Sequence, residues 1–251
     1  MTEQQDPPSA FITRPHPNFE ADIRLFCLPY AGGGTLIFRN WPDLLPADIK
    51  VCPIRLPGRE NRIGTAPFRR ISDLTDALIC DLVPFLDRPY AVFGHSMGAL
   101  LGFEMVRTLR RREAPLPRRL LVSGCWAPQA PFPHNPLHTL PRNEFIARLR
   151  EYGGTPEAVL DHAELMDLFI PVLRADFEMV ETYAYTPEKP LECPISAFGG
   201  EWDERVSQED LADWAEQTES DFKLSLFPGD HFFLHGREAA LAKEIARVLL
   251  I

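Results

Sequence analysis

A serine flanked at two residues' distance by glycines, Gly94-His95-Ser96-Met97-Gly98, together with a histidine far downstream at His231, has the makings of nucleophilic acyl transfer. A serine hydroxyl attacks a carbonyl well only when a neighbouring base takes its proton. The G-x-S-x-G spacing sets such a serine on a tight turn between a strand and a helix. The glycines keep side chains out of that turn, and the helix that follows opens with N–H groups aimed at the reacting oxygen. An apolar run at 90–93 precedes the pattern and a stretch of helix formers at 97–112 follows it, which is the context this turn requires.

The base must come after the serine and after an acid, in the order Ser, acid, His. His95 lies inside the turn and faces the wrong way for that role. His231 and His235 stand behind the apolar run at 222–227, and His231, directly after Pro228-Gly229-Asp230, is favoured. The acid should follow an earlier strand, where residues 199–204 read Gly-Gly-Glu-Trp-Asp-Glu. Glu201 or Asp203 can serve there by fixing the imidazole tautomer. Asp203 is preferred because it lies deeper in the loop, and Asp230 is too close to the histidine in sequence. An oxyanion hole needs two aligned N–H donors. Met97, the residue after the nucleophile, supplies one, and the loop Tyr30-Ala31-Gly32-Gly33 is placed to supply the other. Gly32-Gly33-Gly34 matches neither the dinucleotide nor the P-loop phosphate pattern.

The elements that must hold these residues can be read from periodicity. Residues 23–30, 49–56, 90–93, 119–125, 194–198 and 222–227 read as strands, with Pro53 marking the second as an edge or a bulge. Residues 71–86, 97–112, 207–217 and 238–251 read as helices. This rhythm predicts an α/β fold, a mostly parallel sheet with helices on both faces. Residues 127–190 break the rhythm. They open on the proline-rich PQAPFPHNPLHTLP, contain helical patterns at 142–152 and 156–185, and predict a helical lid over the site. Met166, Phe169 and Met179 are candidates to line an acyl pocket beneath it. Residues 1–21 read as a flexible tail, leaving 22–251 as a single domain.

A chain of 251 residues can bury one large core, and 45% apolar with 25% charged residues is ordinary for a globular protein. The formal charge of -10 repels nucleic-acid backbones and anionic membranes, so neither is an expected partner. There is no signal-peptide core and no apolar run of the about 18–20 residues that span a membrane, which predicts a cytoplasmic protein. Cys27, Cys52, Cys80, Cys125 and Cys193 form no CxxC pair and are expected as buried small hydrophobes. No metal and no cofactor is expected, since no His, Cys, Asp or Glu cluster has ligand spacing.

Four blocks carry a family resemblance: LFCLPYAGGG at 25–34, RLPGRE at 55–60, FGHSMGALLGFE at 93–104 and FPGDHFFL at 227–234. With them the chain resembles the type II thioesterases that accompany nonribosomal peptide synthetases and polyketide synthases, within the α/β-hydrolase class. The resemblance implies Ser96, Asp203 and His231 as the triad and the Ala31 and Met97 amides as the oxyanion hole. It also implies an acyl thioester held on the phosphopantetheine arm of an acyl or peptidyl carrier domain, and an editing role. Glu204 stands where that family would place a proline after the acid. A carrier partner needs a local basic patch on an acidic protein, and Arg59 or Arg62 is predicted to supply it, the enzyme acting as a monomer. The rival readings are a chain-terminating thioesterase, a small-molecule esterase, and a non-catalytic binding protein of the same fold.

Overall fold

Ile23, Leu25 and Cys27 pack on one side of the first strand, and Phe26 and Leu28 on the other, so both faces of the sheet are dry. The same division separates Ala91 and Phe93 from Tyr90 and Val92, and Phe198 from Ile195 and Ala197. A period of two with both phases apolar is what a sheet covered on both faces demands.

The computed structural model describes residues 9–12, 21–130 and 135–250. Its elements in chain order are β1 (Ile23–Leu28), α1 (Trp41–Leu44), β2 (Ile49–Pro53), α2 (Ile71–Leu82), β3 (Tyr90–His95), α3 (Met97–Arg111), β4 (Arg119–Ser123), α4 (Arg142–Tyr152), α5 (Glu157–Leu160), α6 (Ala163–Glu181), β5 (Ile195–Gly200), α7 (Gln208–Ala212), β6 (Phe222–Phe227) and α8 (Glu238–Leu249). The six strands run in the order β2-β1-β3-β4-β5-β6, and their pairings are parallel. One core lies between the sheet and α2 and α3, a second between the sheet and α1 and α8. The strand order reverses at β1, and Leu28 pairs with Gly94, so the loops leaving β1 and β3 emerge side by side at the switch point where ligands bind in such sheets.

Several boundaries moved for identifiable reasons. The helix read at 71–86 closes at Leu82, and Pro84 falls in a 3-10 turn, Val83–Phe85. The pattern at 156–185 is two helices. They break before His162, whose side chain accepts from Leu165 N at 3.4 Å and caps α6. Ser207 and Asp210 form the reciprocal cap of α7. β2 is an edge strand, as Pro53 suggested.

Between β4 and β5 the described residues form helices α4, α5 and α6, which bury Phe145, Leu149, Met166, Ile170, Leu173 and Phe177 in a small core of their own. Residues 131–134 of the proline-rich run lie outside the described residues. So do 1–8 and 13–20 of the expected tail. Residues 9–12 correct that expectation. Phe11 and Ile12 are buried, Ile12 bridges Ile54 in antiparallel sense, and Ser9, Ala10 and Phe11 converge on the carboxylate of Asp81. Cys80 is a second correction. It is exposed, because α2 turns Leu78, Ile79 and Leu82 inward and leaves position 80 toward solvent, while the other four cysteines are buried. Among the described residues no helix is long and apolar enough to cross a membrane.

Candidate active site

Ser96 carries the backbone strain that its turn predicts. Its φ of 53° and ψ of −117° fall where non-glycine residues are uncommon. The turn is made possible by backbone packed on backbone: a Cβ at Gly94 would sit 2.0 Å from Gly98 O, and one at Gly98 2.4 Å from Leu28 O. Neither neighbour is a side chain that can turn aside, which explains both glycines of the motif. Ser96 N donates to Ser123 O at 2.7 Å, tying the turn to β4. α3 starts at the next residue, so the Met97 N–H belongs to the first helical turn and has no acceptor within the helix.

His231 follows β6 and is 5% exposed. Its Nδ1 lies 2.7 Å from Asp203 Oδ2, and the Asp203 side chain is 1% exposed. With Nδ1–H donating to the carboxylate, the lone pair of Nε2 is left for the proton of a nucleophile. Asp203 Oδ1 accepts from Arg205 N at 2.9 Å and Val206 N at 3.3 Å. Burial works to raise the Asp203 pKa. The hydrogen bond and charge of His231 and the two backbone donors outweigh it and hold the carboxyl below its ordinary range. Glu201 is exposed, and Asp230, also exposed, accepts from Phe232 N at 2.8 Å. His235 Nε2 lies 2.9 Å from the Tyr30 hydroxyl.

His95 is a residue whose part in the site the sequence did not reveal. It is fully buried, its Nδ1 is 2.9 Å from Ser123 Oγ, and its ring centroid is 5.2 Å from that of His231. Burial pushes its pKa well below the usual imidazole range. The nearby His231 and His235 push the same way, against a weaker pull from the His231 backbone. A neutral ring therefore lies beside His231. The only sequence signal was its place inside the turn.

Ser96, His231 and Ala31 open into one cavity of about 50 Å³, walled by Tyr30, Leu149, Tyr152, Leu173, Phe177 and Phe232. Leu149, Tyr152, Leu173 and Phe177 come from α4 and α6, so the helical insertion contributes walls to the cavity that holds Ser96. The pocket residues read from sequence are corrected. Met166 is buried within the insertion's own core, Phe169 is exposed, and Met179 packs against the main core. The face of α6 toward Ser96 is the one carrying Leu173 and Phe177, which lie four residues apart. Arg59 is likewise not a docking residue: it is 6% exposed and ion-paired with Asp176. Arg62 donates to the carbonyls of Ala10 and Arg55 and stacks over Phe11. A larger concavity of about 670 Å³ lies between α2, α3 and α6, but its walls are ion pairs such as Arg107–Glu104 and Arg107–Glu188, and neither Ser96 nor His231 reaches it. Among the described residues no group of three or more His, Cys, Asp or Glu could hold a metal ion.

The family model of the thioesterase domain matches residues 23–249. The gramicidin S biosynthesis protein GrsT of Aneurinibacillus migulanus is 45% identical over 218 residues, which cover 87% of this chain and 85% of that one. The RedJ thioesterase from the prodiginine biosynthetic pathway of Streptomyces coelicolor superposes with a TM-score of 0.88 at 37% identity, covering 97% of this chain and 96% of its own. The type II thioesterase BorB from the borrelidin biosynthetic cluster gives a TM-score of 0.86 at 32% identity, with 97% of each chain covered.

Proposed function

The chain belongs to the thioesterase domain family and is a thioester hydrolase of α/β-hydrolase fold, and from that premise we propose that it removes acyl groups from the phosphopantetheine arm of carrier domains, as a stand-alone editing enzyme of nonribosomal peptide or polyketide synthesis. The observation that carries the mechanism is the buried His231–Asp203 hydrogen bond in a site whose cavity is shared by Ser96 and Ala31.

In this reading Ser96 Oγ attacks the thioester carbonyl while His231 Nε2 takes its proton. The developing oxyanion is received by the N–H groups of Met97 and Ala31. Collapse breaks the C–S bond, and His231 returns the proton to the departing phosphopantetheine thiol. A water then attacks the acyl-enzyme, again through His231, and releases the acid and free Ser96. Asp203, held as a carboxylate, keeps the imidazole in the competent tautomer and stabilises its cation. The cavity of about 50 Å³ is narrow, and Leu173 and Phe177 wall it beside Ser96, which makes them the side chains an acyl group meets.

The test is a panel of acyl-loaded carrier proteins set beside the same acyl groups on a small pantetheine-like thiol. The expected result is acid release that is faster from the carrier and abolished by Ser96→Ala. Hydrolysis of the small thioester with no advantage for any carrier would instead make this a small-molecule thioesterase.

A further inference from the structure

The loop that offers the Ala31 amide is held by a buried ion pair reaching it from the helical insertion. Asp176, in the middle of α6 and fully buried, accepts from Gly32 N through Oδ2 at 2.7 Å. Its Oδ1 accepts from Arg59 Nη2 at 2.8 Å. Arg59 in turn donates through Nη1 to Gly33 O at 2.8 Å and through Nε to Pro57 O at 3.3 Å. Gly33 N donates to Tyr30 O at 2.9 Å. That last carbonyl shares its peptide plane with the Ala31 N–H. In a trans peptide the two point in opposite directions, so whatever fixes Tyr30 O aims Ala31 N–H.

Resting on the assignment of Ala31 as an oxyanion donor, we infer that Asp176 and Arg59 are positioning residues for catalysis: together they lock the Gly32 and Gly33 peptides and thereby aim the Ala31 N–H at the reacting oxygen. Three consecutive glycines would otherwise leave this loop with more conformational freedom than any other sequence of its length. Gly32 already uses that freedom, at φ +77°. Stability alone is a poor explanation for the pair, because two charges removed from water are stabilised no better than an apolar pair of similar size would be. An apolar pair could not hold a peptide N–H and a peptide C=O. Glu60 secures the far end of the same loop, accepting from Thr35 N at 2.6 Å and Thr35 Oγ1 at 2.9 Å, and takes a left-handed φ of 53° to do so. The block at 55–60 is thus a brace for the loop after β1.

The pair also joins two functions. Leu173 and Phe177, which wall the cavity, lie three residues before and one residue after Asp176 on α6. The helix that senses the acyl chain is therefore the helix that aims the oxyanion donor.

The decisive variant is the double substitution Arg59→Met with Asp176→Leu, which leaves no orphaned buried charge. Single Asp176→Asn and Arg59→Lys variants accompany it. The readouts are kcat and KM for a thioester, and affinity for an acyl trifluoromethyl ketone, whose serine adduct places an oxyanion in the hole. Loss of a whole oxyanion donor costs about 10²–10³ in kcat, so a misaimed one should cost about 10- to 100-fold with KM within about twofold, the ketone affinity falling in parallel. A role confined to stability would lower the thermal midpoint and leave kcat per folded molecule alone. A folded variant with kcat within about twofold of the parent overturns the inference, as does a loss carried by KM with ketone affinity unchanged. Should every variant fail to fold, amide exchange in the parent decides: Gly32 N–H must be protected like the amides of β1, and rapid exchange there overturns the inference. A parent that hydrolyses no thioester would count against the proposed function instead.

Discussion

The guanidinium of Arg205 lies 4.2 Å over the ring of Tyr152 and donates to the carbonyl of Glu151 at 2.9 Å, while its own backbone N–H is bonded to Asp203 Oδ1. One residue thus connects the loop of the acid to the end of α4. Arg205→Ala should remove a stacking contact and a charge-assisted bond, together about 1–2 kcal/mol. Amide exchange at residues 151–155 should quicken while β3 stays protected. Unchanged exchange in that segment would mean α4 is held by its apolar core alone.

For the proposed triad, Ser96→Ala should leave the fold intact and lower turnover by several orders of magnitude. Asp203→Asn should lower kcat on the order of 10⁴-fold by stabilising the wrong imidazole tautomer. Glu201→Gln, at an exposed position, should stay within about twofold of the parent. The reverse ranking of the two acid variants in a steady-state assay would move the acid's role to Glu201.

Stability should fall on mild acidification. His95, fully buried, has an imidazole pKa lowered well below the usual range by burial. Below about pH 6.5 the unfolded chain protonates this ring while the folded protein does not. The stability it contributes is fully present above that pH and is lost as pH falls below it, at up to about 1.4 kcal/mol per pH unit. Asp203 adds a second, more acidic loss, starting near the unfolded carboxylate value of about 3.9 and continuing through its lower folded value. Urea midpoints between pH 5 and 7 should slope downward toward acid, and His95→Asn should flatten that slope whatever it does to absolute stability. A parent whose midpoint is flat over this range would contradict a neutral buried His95.

Acyl preference should answer to α6. Phe177→Ala and Leu173→Ala enlarge the cavity beside Ser96 and should raise kcat/KM for long acyl chains relative to short ones. Phe169→Ala, on the exposed face, should change the ratio by less than about twofold. Equal ratios for all three would place the acyl chain elsewhere.

The contrast between Phe169 and Phe177 shows what the sequence could and could not convey. Strands and the motif turn were legible because a period of two and a glycine pair that must touch backbone are local demands. His231 and Asp203 were legible because each follows a strand end, and strand ends share one edge of a parallel sheet. Which face of α6 meets Ser96 depends on how an insertion with its own core seats on the domain, and the helix is apolar on more than one side, with Met166, Val172, Phe177 and Met179 all buried. Arg59 misled for a related reason. An arginine in an acidic chain reads as surface, and its partner Asp176 is more than a hundred residues away and gives no local sign of being buried. The break at His162 was missed because the apolar pattern runs on across it.

The short N-terminal segment at residues 9–12 has a bearing on one edge of the sheet. β2 is the last strand on its side of the sheet, and a bare last strand is a template on which another copy can add its own backbone and grow an aggregate. Ile12 bridging Ile54, with Arg55 N donating to Phe11 O at 2.6 Å, occupies that margin just beyond β2. Asp81 of α2 gathers the segment's backbone from one side, and Arg62 holds Ala10 O and stacks over Phe11 from the other. A substitution at Asp81, remote from Ser96, would then show itself first as a protein that precipitates, with each surviving soluble molecule still fully active.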